Sequence, residues 1–298
     1  MTNLLYTSSD WHLRSSVPVS RAERSWYDVM DSKIHHLFER IGTTPLLIAG
    51  DLFDRPDPPA SLVSWAISTF RQAKCNIFVT CGQHDVPNHR VSDRMQGAYG
   101  ALVKAGVIYD LPPNEWCQLT NNISVYAMPW NHYDMPKTEC PTAFAVAALH
   151  KYVWRTPDTK YYGAEDSSNV NGILRMGNTF NAVAIGDNHI PWATGPFVNH
   201  GSLFGFSSNQ KEHVPLLGMI DHMGDYTSEL FPDPIPAQWQ ESAIDTSGKA
   251  ASVVQYLATA DNSVVNFRES LKRLEDQSDD EQHRKVYRNL NQVLLGGD

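Results

Sequence analysis

The feature that most restricts how this 298-residue chain can fold is a recurrence near its start: a short apolar run, a polar stretch rich in Asp and His, then a segment of helical period. Residues 4–8 (LLYTS) lead into SSDWH, residues 45–49 (PLLIA) into GDLFD, and residues 76–80 (NIFVT) into GQHD. Such short apolar runs suit the central strands of a parallel sheet, which is covered on both faces. Between the first two runs, Trp26, Val29, Met30, Ile34, Leu37, Phe38 and Ile41 share one helix face that Gly42 closes. Between the next two, a helix over about 60–73 places Leu62, Trp65, Ala66, Thr69 and Phe70 together. Repetition of strand, loop and helix predicts an α/β fold, with the polar motifs at the carboxyl ends of strands, where such folds carry their chemistry.

Beyond Gly106 the runs shorten, and strands are expected over 116–119, 123–128, 142–149 and 182–185, with a polar surface loop over 156–171. Residues 214–221 and 226–230 read as a hairpin across Gly224, and Pro232, Pro234 and Pro236 as a linker. The expected organisation is a main domain over 1–206, a small β-rich accessory region over 207–245 and a helical tail over 246–298. In the tail, Val264, Phe267, Leu271 and Leu274 form one apolar stripe and Val286, Leu290 and Val293 another, a pattern that docks on its own domain or on a partner.

Hydrophobic residues make up 42% of the chain, enough for a large core, yet no apolar run approaches the roughly 20 residues of a membrane span. The N-terminus shows no basic segment followed by an apolar one, so no secretory signal is expected and the reading is cytoplasmic. Cys75, Cys81, Cys117 and Cys140 are too irregularly spaced for a zinc knuckle and read as free thiols. A net charge of −9 argues against a broad basic face that coats nucleic acid, though not against an enzyme whose metals supply local positive charge.

Five stretches supply ligand types: Asp10 and His12, Asp51 and Asp54, Gln83 with His84 and Asp85, His150, and Asp187 with His189. Asp and His together offer the hard oxygen and borderline nitrogen donors of catalytic divalent sites. Asp51 is the most telling, because a carboxylate after a glycine at the end of a buried strand is costly unless a cation or hydrogen bonds compensate it. Taken singly, Asp10 reads as readily as a turn cap, His150 as a core histidine and Asp54 as a loop carboxylate. Together the stretches supply two four-ligand shells. Of their neighbours, His132 and His200 read as loop residues or substrate contacts. His89, Arg90 and Arg94 read as solvated loop charges, and Trp11, Phe53 and Trp192 as packing.

The order Asp-x-His, Gly-Asp-x-x-Asp, Gly-Asn-His-Asp, His, Gly-His-x-His is that of the calcineurin-like metallophosphoesterases, which this chain resembles over roughly residues 1–220. Within them, SSDWHLR, AGDLFDRPDPPA and NHGSL are similar to DNA-repair nucleases of the SbcD type. The resemblance implies a four-layer α/β/β/α sandwich with a small C-terminal capping region. It implies two divalent metal ions, Mn²⁺ foremost and Mg²⁺ next, one held by Asp10, His12, Asp51 and His189, the other by Asp51, Gln83, His150 and Asp187. His84 would face the scissile phosphate as the catalytic group, and Asp85 would orient it or fix its loop. Gln83 stands where the family has Asn, and Asp187 where it has His, a harder donor set that favours Mn²⁺ or Mg²⁺ over Zn²⁺. The resemblance further implies a Mn²⁺-dependent DNA exonuclease or endonuclease, an SbcC-type ATPase partner met through the tail, and a homodimer. The rival readings are a phosphoesterase of small substrates (cyclic nucleotide, dinucleotide polyphosphate or phosphomonoester) and a scaffold whose second metal site has degenerated.

Overall fold

The computed structural model describes residues 3–161 and 164–240; the tail expected over 246–298, with both its apolar stripes, lies outside them. The first repeat forms as the sequence predicts. Strand β1 (Asn3–Ser8) leads through the SSDWH loop to helix α1 (Trp26–Ile41), and β2 (Leu46–Ala49) to α2 (Ala60–Phe70). Strand β3 (Ile77–Thr80), helix α3 (Ala98–Lys104) and the short β4 (Tyr109–Asp110) complete this half. Ser25 caps α1 by accepting the Asp28 amide at 3.3 Å, and Gly42, at φ 60°, ends it with its N–H on the Phe38 carbonyl. The buried face of α1 carries Trp26, Met30, Ile34, Leu37, Phe38 and Ile41, the stripe read from the sequence without Val29, which is half-buried, and adds Lys33.

The second half supplies β5 (Trp116–Gln118), β6 (Ile123–Met128), β7 (Phe144–His150), β8 (Ala182–Gly186), β9 (Trp192–Thr194) and β10 (Phe197–Asn199), then β11 (Leu216–Asp221) and β12 (Tyr226–Leu230). Two six-stranded sheets result, in the orders β12-β11-β1-β2-β3-β4 and β5-β6-β7-β8-β10-β9. The central strands β1 to β4 and β6-β7-β8-β10 run parallel, and antiparallel strands flank them. The chain is thus an α/β sandwich.

Alternation along the strands builds three apolar layers. Leu47 and Ala49 of β2 face the second sheet and join Val125, Ala127, Val146, Ala148, Ala182 and Ala184 in one buried cluster. Those small side chains let β2 lie close over β7 and β8. Leu46 and Ile48 point the other way, onto the helices, which is why β2 is buried on both faces. The outer face of the second sheet is covered by Val153, Val170, Ile173, Met176 and Phe180. Here the outer layer differs from the expected α-helical one: four 3₁₀ turns between Pro157 and Asn178 provide it, with no α-helix among the described residues of that stretch. Gly172, Gly177 and the Asn and Ser residues nearby break any helical run. The segment expected to be a surface loop is therefore in part a structural layer.

The hairpin is not part of a separate accessory region. β11 pairs antiparallel with β1, Tyr6 opposite Met219, and extends the first sheet. The proline-rich segment after it is docked, not free. Asp233 pairs with the buried Lys33, the Ala22 amide donates to the Gln238 carbonyl at 2.8 Å, and the Arg21 guanidinium lies 4.8 Å from the Trp239 ring centre. All four cysteines are free thiols. No helix among the described residues is long and apolar enough to cross a membrane.

Candidate metal centre

Every ligand motif falls at the carboxyl end of a strand, drawn from both sheets. Asp10 and His12 follow β1, Asp51 follows β2, Gln83 and His84 follow β3, His150 ends β7, and Asp187 and His189 follow β8. The first two loops are zipped together by amide donation from Asp10 to Gly50, His12 to Asp51 and Leu13 to Leu52, at 3.0, 3.0 and 2.9 Å. Four of these residues hold the left-handed backbone that side chains rarely adopt: Asp10 at φ 51°, His12 at 43°, Asp51 at 50° and Asp187 at 86°. Strain of this kind, of order 1–3 kcal/mol each, is kept where the surrounding structure over-determines the conformation, and it clusters at functional sites.

Two glycines make room for the centre. A Cβ on Gly50 would stand 2.0 Å from His150 Nδ1, and one on Gly82 would stand 2.1 Å from Asp51 Oδ1. Asp51 and His150 are both fully buried. The Asp51 carboxylate accepts the His84 amide on Oδ1 at 2.9 Å, whereas its Oδ2 is buried without a hydrogen-bond partner. That orphaned oxygen has His150 Nε2 at 3.4 Å and His12 Nε2 at 3.7 Å. His12 Nε2 in turn lies 3.0 Å from His189 Nε2 and 4.0 Å from Asp10 Oδ1. Donor atoms of Asp10, His12 and His189 converge within 4.8 Å of one another, as do those of Asp10, Asp51 and His150, and those of His12, Asp51 and His84.

The donor set fits divalent cations. An unpartnered buried carboxylate oxygen costs free energy that a cation removes, and two facing imidazole nitrogens share at most one proton between them. Electrostatics point the same way. Burial pushes the Asp10 carboxyl up to about 8, and repulsion from Asp51 and Asp187 adds to it against the pull of His150. Burial works against the charged form of Asp51 too, but the charge of His150, and then of His12 and His84, holds it below the ordinary carboxylate range. Burial lowers His12 and His189, so both present neutral imidazoles suited to a metal.

The outer contacts assign further roles. His150 Nδ1–H donates to the Ala49 carbonyl at 2.8 Å and His84 Nδ1–H to the Asp54 carbonyl at 2.9 Å, which leaves each Nε2 on the opposite side of its ring. Burial disfavours the charge on His84, yet Asp51 and the Asp54 carbonyl together raise its pKa above the ordinary histidine value. Asp85 does not orient the His84 ring. Its carboxylate accepts the amides of Gly82, Leu52 and Phe53 at 3.0, 3.1 and 2.9 Å, so of the two roles expected it takes loop fixation. Gln83 and Asp187 stand beside the centre but bond to each other, Gln83 Nε2 donating to Asp187 Oδ1 at 2.8 Å.

Around this centre, the aromatics Trp11 and Phe53 are fully buried, and Trp192 donates its Nε1–H to the Val153 carbonyl at 3.1 Å; all three are packing residues. His200 is fully buried and tied to Thr7 Oγ1 at 2.7 Å, so it belongs to the core. Arg94 is held in a bidentate pair by Asp110, at 3.0 and 2.9 Å. Sequence reasoning missed Phe206, whose ring stands edge-on to His12 at 5.4 Å and near His189 at 6.5 Å. It also missed Asn188 and Asn199, whose amides brace the loop that carries Asp187 and His189. Phe206 has no periodic relation to the ligands that would betray it. Asn188 lies inside the GDNH motif, between two stronger donors that mask it.

No known protein-family profile matches the chain, and no curated relative does. Among solved structures it is similar to the NAD nucleotidase of Haemophilus influenzae, at 10% identity and a TM-score of 0.40, over 98% of this chain and 60% of that one. It is similar as well to a 5'-nucleotidase precursor from Thermus thermophilus, at 12% identity and a TM-score of 0.40, over 86% of this chain and 59% of that one. The chain thus spans about 60% of the length of each. Likeness at this level carries nothing about chemistry, which rests on the geometry of the site.

Proposed function

We propose that this chain is a metal-dependent phosphoesterase whose substrate is DNA, a Mn²⁺-dependent nuclease of the SbcD type. The observation that carries the phosphoesterase reading is the buried, unpartnered Asp51 Oδ2 between the imidazoles of His12 and His150, with His84 alongside. Asp10, His12, Asp51 and His189 would hold one divalent cation, and Asp51 with His150, Gln83 and Asp187 a second. When bound, such a pair supplies Lewis acidity and offsets the charge that builds on a phosphoryl group during in-line displacement.

The chain's own residues do the rest. Asp51, kept anionic by the imidazoles around it, would contribute to both positions. His84, held through Nδ1 by the Asp54 carbonyl, presents Nε2 to the leaving oxygen as a proton donor. Asp85 fixes the backbone from which both His84 and Asp51 project. DNA as substrate is supported by the SSDWHLR and GDLFDRPDPP stretches. The same reading includes an SbcC-type ATPase partner engaged by the tail and a homodimer. Co-purification of the full-length chain, and not a tail-deleted one, with such an ATPase would support the partner; equal retention of both would count against it.

The test is hydrolysis of end-labelled linear duplex, single-stranded circles and a chromogenic phosphodiester with Mn²⁺, each with and without chelator. Chelator-sensitive cleavage of DNA is expected. Cleavage of the chromogenic diester alone would favour the second reading, a small phosphoester as substrate, which the net charge of −9 supports because it needs no extended basic groove. No hydrolysis of any substrate, with no Mn²⁺ bound, would favour the scaffold reading, and two ions per chain would argue against it.

A further inference from the structure

Gln83 and Asp187 are the two positions at which the ligand set departs from the family it resembles, and in the structure they are partners. Gln83 Nε2 donates to Asp187 Oδ1 at 2.8 Å, while Gln83 Oε1 and His150 Nε2 lie 2.8 Å apart. One amide thus ties together two of the groups expected around the second cation, its carbonyl oxygen engaged by an imidazole and its N–H₂ by a carboxylate. Asp187 joins none of the converging donor groups found among the described residues, whereas Asp10, Asp51, His12, His150 and His189 all do. Its backbone cannot easily reorient, since Asp187 sits at φ 86° with its amide donating to both Asp10 oxygens, at 3.0 and 3.1 Å.

The two departures complete each other. The extra methylene of Gln over Asn gives the amide its reach across to residue 187, and a carboxylate there is an acceptor that an imidazole turned toward a cation would not offer. A cation entering beside His150 competes with the imidazole for Gln83 Oε1 and with the amide for Asp187 Oδ1. The second of these is a charge-assisted bond.

We propose that the Gln83–Asp187 contact is a clasp that makes the two cation positions unequal. One position, at Asp10, His12, Asp51 and His189, fills first. The second, at Asp51 and His150, fills only as the clasp opens, at cation concentrations about 10- to 100-fold higher, the range that loss of one charge-assisted hydrogen bond corresponds to. Supply of the second cation then controls the site. This rests on the two-cation reading above and is independent of which phosphoester is cleaved.

The test is titration of the chelator-stripped full-length protein with Mn²⁺, by calorimetry and by the paramagnetic resonance of free Mn²⁺, with no substrate present. Two binding events separated by at least tenfold are expected. In Gln83→Asn the arm is too short to span, and the gap should narrow; in Gln83→Asn with Asp187→His it should close to within about threefold, with circular dichroism verifying the fold of each variant. Two equal sites in the unaltered protein would overturn the clasp, as would a gap unchanged in a folded Gln83→Asn protein. Absence of any Mn²⁺ binding would overturn both the clasp and the metal centre. Equal sites in a protein that cleaves DNA would sink the clasp alone, and unequal sites in one that cleaves nothing would sink the nuclease alone.

Discussion

Gly82→Ala isolates the placement of Asp51 from the chemistry of the ligands, because it alters no donor atom. The added Cβ would lie 2.1 Å from Asp51 Oδ1 and 2.6 Å from the Asp51 backbone nitrogen, about 1.3 Å short of the 3.4 Å at which ordinary contact begins. Gly82 has φ −98°, so the substitution brings no left-handed strain and the whole effect is steric. The carboxylate cannot swing aside, since Oδ1 accepts the His84 amide and the residue is fully buried. Overpacking of this kind costs about 1–3 kcal/mol, and at about 2–4 °C per kcal/mol for a domain of this size the midpoint of thermal unfolding should fall by roughly 2–12 °C. A displacement near 1 Å at a catalytic group costs about 100-fold in rate. Activity should therefore fall far more than stability, and the two are separated by assaying Mn²⁺-dependent phosphodiester hydrolysis well below the melting range. Gly177→Ala is the control, an exposed position whose Cβ would meet only Pro196 Cγ at 3.3 Å and Phe197. Gly82→Ala with unaltered turnover would refute the claim that Asp51 is positioned by the β3 loop; a loss of activity that merely tracked the unfolded fraction would refute the claim that its placement matters to rate.

Other predictions address separate parts of the molecule. His84→Ala should lower kcat by about 10²–10⁴-fold while leaving two Mn²⁺ bound per chain at saturation, if its proposed role is proton transfer and not ligation. Asp233→Ala strands the buried Lys33 ammonium without its partner and should cost about 3–5 kcal/mol in urea unfolding, with hydrolysis per folded molecule retained. His200 is held neutral by burial, which takes its pKa from 6.5 down to about 4. The unfolded chain therefore binds a proton that the native one refuses. Stability from this group is complete above about pH 6.5 and is lost as pH falls toward 4, by at most about 3 kcal/mol. Urea unfolding at pH 7.5 and 4.5 should show a smaller pH dependence in His200→Gln, and an equal dependence would remove His200 as its source.

Much of the centre was legible in the sequence because ligand motifs at strand ends obey local rules. Asp10, Asp51 and His84 each follow closely on a strand of β-forming residues, and the parallel arrangement of those strands brings their ends to one side. The stripe on α1 was equally legible, as an amphipathic period is written in one segment. Roles that depend on partners far away in sequence were not. Asp85 could orient His84 or fix a loop, and only the approach of the Leu52 and Phe53 amides decides for the loop. The hairpin looked like the start of a separate region because nothing within residues 216–230 records that β1 has a free edge. The outer layer of the second sheet read in part as a loop because buried Val170, Ile173 and Met176, three residues apart, lie on short 3₁₀ turns among polar residues and glycines and make neither a strand nor an α-helical pattern.

By itself, then, the amino-acid sequence determined the α/β class, the helices on the first sheet and the set of residues able to hold cations, since strand propensity, helical period and donor chemistry are properties of short segments. The tertiary structure alone decided which of those residues converge. It left Asp51 Oδ2 unpartnered between His12 and His150, and it set Gln83 against Asp187. Convergence depends on close approach between groups far apart in the chain, as where the His12 and His189 imidazoles meet at 3.0 Å across 177 residues. That approach follows from how closely small side chains such as Ala49, Ala148 and Ala184 let the two sheets pack.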